Sequence, residues 1–137
     1  MSSSKIVFDT RRIFDFVQQR NPLAWIEGCK GIGLERDGEL IAGVIYEGFN
    51  GTNIWMHVAA VPGSRWMTRE YLRYCFHYPF IELGCRYVRG YVEASNHAAR
   101  RFDEHLGFTQ AAVLPGAATD GGDVILYVMP KETCKYV

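Results

Sequence analysis

The sequence predicts an α+β fold in which a mixed, mostly antiparallel sheet of about six to seven strands is flanked by about three to four helices. Asp37 and Gly38 form a strong hairpin turn between two apolar segments, because an Asp-Gly pair tolerates positive φ. Residues 53–61 are apolar at nearly every position, which indicates a strand buried on both faces. The predicted order is a helix, three antiparallel strands, a helix, a strand, a helix and two strands, which is typical of an α+β protein with a mixed sheet.

The boundaries of these elements follow from apolar periodicity and from prolines. An apolar face at residues 13, 14, 16 and 17 predicts a first helix that Pro22 ends. A second helix follows the turn at residues 62–64, and Pro79 is expected to kink or end it. The predicted elements are a helix at 10–20, strands at 31–36, 40–46 and 53–61, a helix at 68–78, a strand at 87–92, a helix after Ser95, and strands at 109–114 and 124–129.

Length and composition predict a single domain over residues 1–137, since domains of about 100–200 residues are usual. The formal net charge is zero, which gives no electrostatic reason to expect a nucleic-acid or membrane partner. No apolar run approaches the about 20 residues that span a bilayer, and the N-terminus lacks the apolar stretch of a signal peptide. The four cysteines match no zinc pattern, so we expect no metal and interpret them as buried thiols of a cytoplasmic protein.

Residues 87–108 predict a strand, a capped helix and a glycine stop. Ser95 or Asn96 can cap the helix, because either side chain can accept a hydrogen bond from a free backbone N–H group. Gly107 is suited to the left-handed C-cap, and Phe108 starts a new apolar run. One face of the helix is formed by residues at helical spacing, namely Ala99, Phe102 and Leu106.

The asparagine at the helix start, a small residue three positions later and the Leu-Gly-Phe end closely resemble the second cofactor motif of the GNAT acetyltransferases. The run Asn-His-Ala-Ala-Arg-Arg-Phe is also similar to small GNAT proteins encoded by phages or prophages. The resemblance implies a GNAT-like fold with acetyl-CoA or coenzyme A as the cofactor. It places Asn96 against the pantetheine arm and Arg100 or Arg101 within reach of the coenzyme phosphates, with a helix cap and a solvated helix face as the alternatives.

The loop after the buried strand is suited to an anion, because a helix N-terminus presents free N–H groups and a positive dipole end. In the resemblance this loop binds the coenzyme pyrophosphate, and a plain strand-to-helix turn is the alternative. Arg65 matches the family pattern, whereas Thr68 and Glu70 occupy its two small positions, so we expect Glu70 to point to solvent. The residues expected to bind the coenzyme are Ala59, Val61, Gly63, Ser64, Arg65, Trp66, Met67, Thr68, Arg69, Asn96, Ala99, Arg100 and Phe102.

Acetyl transfer to an amine requires a base for the amine and often an acid for the leaving thiolate. As candidate catalytic bases we consider His57, which lies on the buried strand, and Glu47, which could act through a water; a structural role is the alternative for each. Asp103 occupies the position at which many GNAT enzymes have a tyrosine acid, and an aspartate of usual pKa is a poor acid near neutral pH. We therefore expect transfer to rely on positioning the amine for direct attack on the thioester.

These observations favour an acetyl-CoA-dependent N-acetyltransferase that acts on a primary amine of a small molecule or a protein. The alternative is a catalytically degenerate GNAT-fold phage accessory protein that binds coenzyme A weakly or acts as an interaction module. A third hypothesis, an unrelated α+β binding domain, predicts no splayed central strands. The apolar, aromatic-rich sequence permits a homodimer. Aromatic residues that could line an acceptor pocket, or belong to the core, are Tyr46, Trp55, Trp66 and Tyr91.

Overall fold

The computed structural model of the chain describes residues 3–137, and seven strands form one sheet. The strands are β1 (Ser4–Val7), β2 (Lys30–Arg36), β3 (Glu39–Glu47), β4 (Asn53–Ala60), β5 (Tyr87–Glu93), β6 (Thr109–Leu114) and β7 (Val124–Pro130), and the helices are α1 (Thr10–Gln18), α2 (Arg69–His77) and α3 (His97–Leu106). The sheet order is β1-β2-β3-β4-β5-β7-β6, in which β4 and β5 are parallel and the other neighbouring pairs are antiparallel. This mixed sheet with its helices confirms the predicted α+β fold class.

Helix α1 packs across β2, β3 and β4 on one face of the sheet. Its residues Ile13 and Val17 are fully buried beside Ile45 and Ala59. The helix can approach closely because β3 has a glycine beneath it: a Cβ atom at Gly43 would lie 3.0 Å from Cγ2 of Ile13. A larger residue at this position would push the helix away from the sheet.

Helices α2 and α3 cover the opposite face, where the larger core cluster lies. Two buried tyrosine hydroxyls attach α2 to the sheet. The Tyr71 hydroxyl donates to the Ile32 carbonyl oxygen at 2.8 Å, and the Tyr46 hydroxyl donates to the Cys75 carbonyl oxygen at 2.6 Å. Because a buried hydroxyl without a partner is costly, these bonds fix the position of α2 as well as satisfying the two side chains.

Three boundaries differ from the sequence-based prediction or refine it. Strand β1 was not predicted, since its short, half-exposed sequence has no clear alternation and forms a strand by pairing with β2. Helix α1 ends at Gln18, two residues earlier than expected. Helix α2 ends at His77, and Pro79 lies in the π-helical turn Tyr78–Glu82 that follows, where its missing N–H group is tolerated.

The two parallel strands separate towards the carboxyl end of β4. Pairing joins residues 53–55 of β4 to residues 87–89 of β5, and the described chain has no β4–β5 pair beyond them. Strand β4 nevertheless continues to Ala60, and β5 continues to Glu93. A wedge therefore opens between the strands, and alternate backbone N–H and C=O groups of β4 face it. This splay contradicts the hypothesis of an unrelated α+β domain.

Candidate functional site

A groove of about 690 Å³ lies between the carboxyl end of β4 and helix α3. Trp66, in the loop after β4, packs edge-on against Phe102 of α3, with ring centroids 5.5 Å apart and ring planes at 86°. This aromatic contact holds the two walls of the groove together. The residues that line the groove are Ala60, Val61, Pro62, Gly63, Trp66, Met67, Ala98, Arg101, Phe102 and His105.

The loop between β4 and α2 has a backbone conformation that can surround an anion. Gly63 and Arg65 adopt positive φ angles of 75° and 56°, and Arg65 does so although it has a side chain. The Oγ atom of Ser64 is buried and has no hydrogen-bond partner among the described residues. A phosphate oxygen could accept from the first N–H groups of α2, whereas the buried Ser64 hydroxyl does not line the groove. The residues of the loop therefore fit the pyrophosphate of coenzyme A.

The residues at the start of α2 have different roles: one caps the helix, and two line a cavity that is separate from the groove. Thr68 caps the helix, since its Oγ1 atom accepts a hydrogen bond from the Tyr71 N–H group at 3.2 Å. Glu70 is exposed, as the sequence predicts. Together with Arg69 it lines a separate cavity of about 950 Å³ between α2 and the edge of β2. The Glu70 carboxylate therefore lies outside the groove.

The other loop residues expected to bind the coenzyme fall into two groups. Those that line the groove are Val61, Gly63, Trp66 and Met67. Ala59 packs on the α1 face instead, and Arg65 is exposed. A role in coenzyme binding stays a prediction for each of them.

Helix α3 presents one face to the groove and another to the core. The groove residues follow helical spacing and are Ala98, Arg101, Phe102 and His105. Ala99 is buried in the core, and Arg100 donates from Nη1 to the Ala94 carbonyl oxygen at 3.1 Å. Of the two arginines expected near the phosphates, the one that lines the groove is thus Arg101. The sequence interpretation did not identify Ala98 and His105 as groove residues, although their helical spacing from Arg101 and Phe102 could have indicated it.

Asn96, rather than Ser95, caps α3. Its Oδ1 atom accepts a hydrogen bond from the Ala99 N–H group at 3.2 Å. The hydroxyl of Ser95 instead donates to the Asp120 carboxylate at 2.8 Å. The cap orients the Asn96 side chain at the start of the helix that forms one wall of the groove. Contact with the pantetheine arm stays a prediction for this residue.

Asn96→Ala is expected to lower the free energy of unfolding by about 1 kcal/mol, because it removes the cap. Asn96→Asp should retain wild-type stability, since aspartate caps a helix equally well. Urea denaturation of both variants measures the difference. An equal loss of stability in the two variants would contradict the assignment of Asn96 as the cap.

On the α1 face of the sheet, a histidine and a carboxylate lie beside the wedge. The register pairs Glu47 with Trp55 and Ile45 with His57, so these side chains share one face. The Nε2 atom of His57 lies 3.5 Å from Oε2 of Glu47, which is longer than an ordinary hydrogen bond. This nitrogen is buried and has no hydrogen-bond partner within residues 3–137.

Burial shifts the pKa values of both groups. It lowers the pKa of His57 to about 4, so the imidazole is neutral at pH 7. Burial also raises the pKa of the Glu47 carboxyl. A neutral imidazole with an unpaired ring nitrogen can accept a proton, and the neighbouring carboxylate would stabilise the imidazolium that results.

Aromatic rings border this pair. The rings of Tyr91 and His57 meet edge-on with centroids 5.0 Å apart, and those of Tyr91 and Trp55 are 5.8 Å apart. Tyr91 is 39% exposed, whereas the histidine it contacts is buried. The two other aromatic residues considered for an acceptor pocket, Tyr46 and Trp66, are buried in the core cluster on the opposite face.

Asp103 lies on the inner face of α3, where it is 7% exposed. Burial, together with the nearby charge of Glu104, raises the pKa of the Asp103 carboxyl to about 7. The premise that this aspartate has its usual pKa is therefore wrong, and the reason is the apolar surroundings of the helix face. Near pH 7 the carboxyl holds a proton in a large fraction of the molecules.

No helix within residues 3–137 is long and apolar enough to cross a membrane. Those residues also contain no group of three or more His, Cys, Asp or Glu side chains that could hold a metal ion. All four cysteines are buried free thiols, and burial raises the pKa of Cys75 to about 12. A thiol with this pKa is inert as a nucleophile at neutral pH.

Comparison with solved structures finds this fold in acetyltransferases. The chain is similar to the spermidine/spermine N-acetyltransferase SpeG from Vibrio cholerae, with a TM-score of 0.72 and 14% identity over 93% of this chain and 92% of that chain. It is also similar to the IAA acetyltransferase from Bacillus cereus ATCC 14579, with a TM-score of 0.76 and 10% identity over 93% and 99% of the two chains. No family model and no curated protein matches the chain. These likenesses establish the fold, which is that of the GNAT acetyltransferases.

Proposed function

We propose that the chain is an N-acetyltransferase that transfers an acetyl group from acetyl-CoA to a primary amine. The observation that supports this most directly is the wedge between β4 and β5. The stretch of β4 that borders the wedge includes His57 and ends at Ala60, which lines the groove. Because alternate residues of a strand point to opposite faces, the groove and the histidine lie on opposite sides of the wedge. A thioester that enters the wedge from the groove would therefore have His57 on the opposite, α1 face of the sheet.

The proposed reaction is a direct transfer. The amine nitrogen attacks the carbonyl carbon of the thioester, the C–S bond breaks, and the sulfur leaves with the bonding electron pair. The imidazole of His57 takes one proton from the amine, and Glu47, whose Oε2 atom lies 3.5 Å from Nε2, stabilises the resulting imidazolium. The thiolate takes up a proton from solvent to give coenzyme A, and the imidazolium releases its proton to solvent, so that His57 becomes neutral again. Free backbone groups of β4 would hydrogen-bond to the pantetheine amides and hold the carbonyl carbon in place.

The acceptor is expected to enter on the α1 face, beside Trp55 and Tyr91. Aromatic rings and a carboxylate both attract an ammonium group, the rings through their π faces and Glu47 through its charge. We therefore propose a primary amine, either free or part of a protein, as the acceptor. The buried free thiols fit a reducing cytoplasm as the compartment.

Acetyl-CoA and coenzyme A should each raise the melting temperature in a saturable way. A ligand that binds only the folded chain at 100 times its Kd adds about 2.7 kcal/mol to the free energy of unfolding. Differential scanning fluorimetry measures this shift, and mass spectrometry then detects transfer of labelled acetyl to a panel of primary amines. ATP serves as the control, since it has phosphates and adenosine but no pantetheine arm.

The possible outcomes separate the candidate functions. A shift with both coenzymes followed by acetyl transfer supports the enzyme. A shift without transfer to any amine favours the catalytically degenerate coenzyme-binding protein, which Thr68 and Glu70 in the family's small positions motivate. The absence of any shift at millimolar ligand would contradict the proposal.

A further inference from the structure

Arg36, at the end of β2, reaches the loop between β4 and α2. Its Nη1 atom donates to the Ser64 carbonyl oxygen, and its Nη2 atom donates to the Arg65 carbonyl oxygen at 3.4 Å. Its Nε atom donates to Oγ of Ser4 at 3.2 Å. One guanidinium group thus contacts two successive carbonyl groups of the loop, a geometry that the planar fork of arginine permits.

The direction of these carbonyl groups determines where the neighbouring N–H groups point. In a trans peptide the C=O and N–H bonds point in opposite directions, and the described residues contain no cis peptide bond. The Ser64 and Arg65 carbonyl groups point towards Arg36, so the N–H groups of Arg65 and Trp66 point away from it. Neither N–H group forms a backbone hydrogen bond within the described part of the chain. Two adjacent donors in the loop are therefore free, and Trp66, which carries the second of them, lines the groove.

The loop needs support in this conformation. Arg65 has a φ angle of 56°, in the left-handed region that residues other than glycine disfavour. Glycines that would let the backbone approach a phosphate are absent from positions 68 and 70, which are Thr and Glu. A contact from outside the loop can stabilise a backbone conformation that glycine would adopt without strain.

We propose that Arg36 is a positioning residue for coenzyme binding. It holds the loop so that the N–H groups of Arg65 and Trp66 can donate to the pyrophosphate oxygens. This inference rests on the proposed function, because it assumes that the groove receives coenzyme A. It assigns the arrangement of the pyrophosphate site to a side chain of the β2–β3 hairpin, about 30 residues earlier in the sequence.

The test compares R36A with R12A as a matched control. Arg12 also contacts the β2–β3 hairpin, through Oε2 of Glu35 at 2.6 Å and the Gly38 carbonyl oxygen at 3.1 Å. Calorimetry measures the Kd of coenzyme A, which contains the pyrophosphate, and of pantetheine, which lacks it. R36A should bind coenzyme A about 10–100-fold more weakly than the wild type, the usual effect of losing hydrogen bonds to a charged group. Its Kd for pantetheine should not change, and R12A should bind both ligands like the wild type.

Arg36→Lys provides a second variant if R36A does not fold. A lysine can donate to one carbonyl group but cannot span both, so its affinity for coenzyme A should lie between those of R36A and the wild type. Wild-type affinity for coenzyme A in the folded Arg36 variants would overturn the inference. Equal losses for coenzyme A and pantetheine would also overturn it, because they would indicate a general distortion of the groove. A wild-type chain that binds neither ligand overturns the proposed function and this inference together.

Discussion

Replacing His57 by alanine is expected to lower the rate of acetyl transfer by about 10²-fold, the lower end of the usual contribution of a general base, because an imidazole of pKa about 4 is a weak base. The imidazole is neutral at pH 7 because burial lowers its pKa to about 4, and its Nε2 atom forms no hydrogen bond in the described chain. Binding of coenzyme A should change little, because His57 and the groove residue Ala60 point to opposite faces of β4. The effect should appear in kcat/KM for the amine at saturating acetyl-CoA.

Two further variants make this result specific. Glu47→Gln keeps the shape of the side chain but removes the charge that would stabilise the imidazolium, so it should cause a smaller loss of activity. His77→Ala is the matched control, since His77 lies on α2 beside the separate cavity and should retain wild-type activity. Full activity in a His57 variant that binds acetyl-CoA would contradict its assignment as the base, and it would leave positioning as the main source of catalysis.

Asp103→Asn is expected to stabilise the folded chain at pH 8 by as much as about 4 kcal/mol, with almost no effect near pH 4. Burial raises the pKa of the folded-state carboxyl from 3.8 to about 7. Between these values the folded chain binds more protons at this site than the unfolded chain, so the contribution of Asp103 to stability falls as the pH rises through this range. Asparagine has nearly the same shape and cannot ionise, so the variant avoids this cost.

Urea denaturation of both proteins at intervals from pH 4 to pH 8 measures the prediction. The difference between wild type and variant is the informative quantity, because the pH dependence of other groups, including His57, cancels in it. Asp15→Asn is the control, since Asp15 is exposed and pairs with Arg11 at the surface. A stability difference that does not depend on pH would contradict the raised pKa of Asp103.

Much of the fold could be predicted because its local signals agree with its tertiary structure. Asp37 and Gly38 have φ angles of 53° and 85°, the positive values that the Asp-Gly turn predicts. Asn96 caps α3, and Gly107 ends it with a φ of 113°. Strand β1 could not be predicted in this way, because its extended conformation depends on pairing with β2, which lies far along the sequence.

The candidate site could be predicted only where local spacing determines it. The approach of His57 to Glu47 depends on the register between β3 and β4, and the contact of Arg36 with the loop joins two separate parts of the chain. Neither relation has a local signal in the sequence. The burial of Asp103, in contrast, had a local signal, because this residue lies four positions after Ala99 on the same inward helix face.

The proposed function would bring the two substrates to the wedge between β4 and β5 from opposite faces of the sheet. Coenzyme from the α3 side and amine from the α1 side would not share a path, so neither has to leave before the other arrives. In the proposed reaction both substrates would be bound when the acetyl group moves, and the protein would not need to hold that group itself, in keeping with the inert thiol of Cys75.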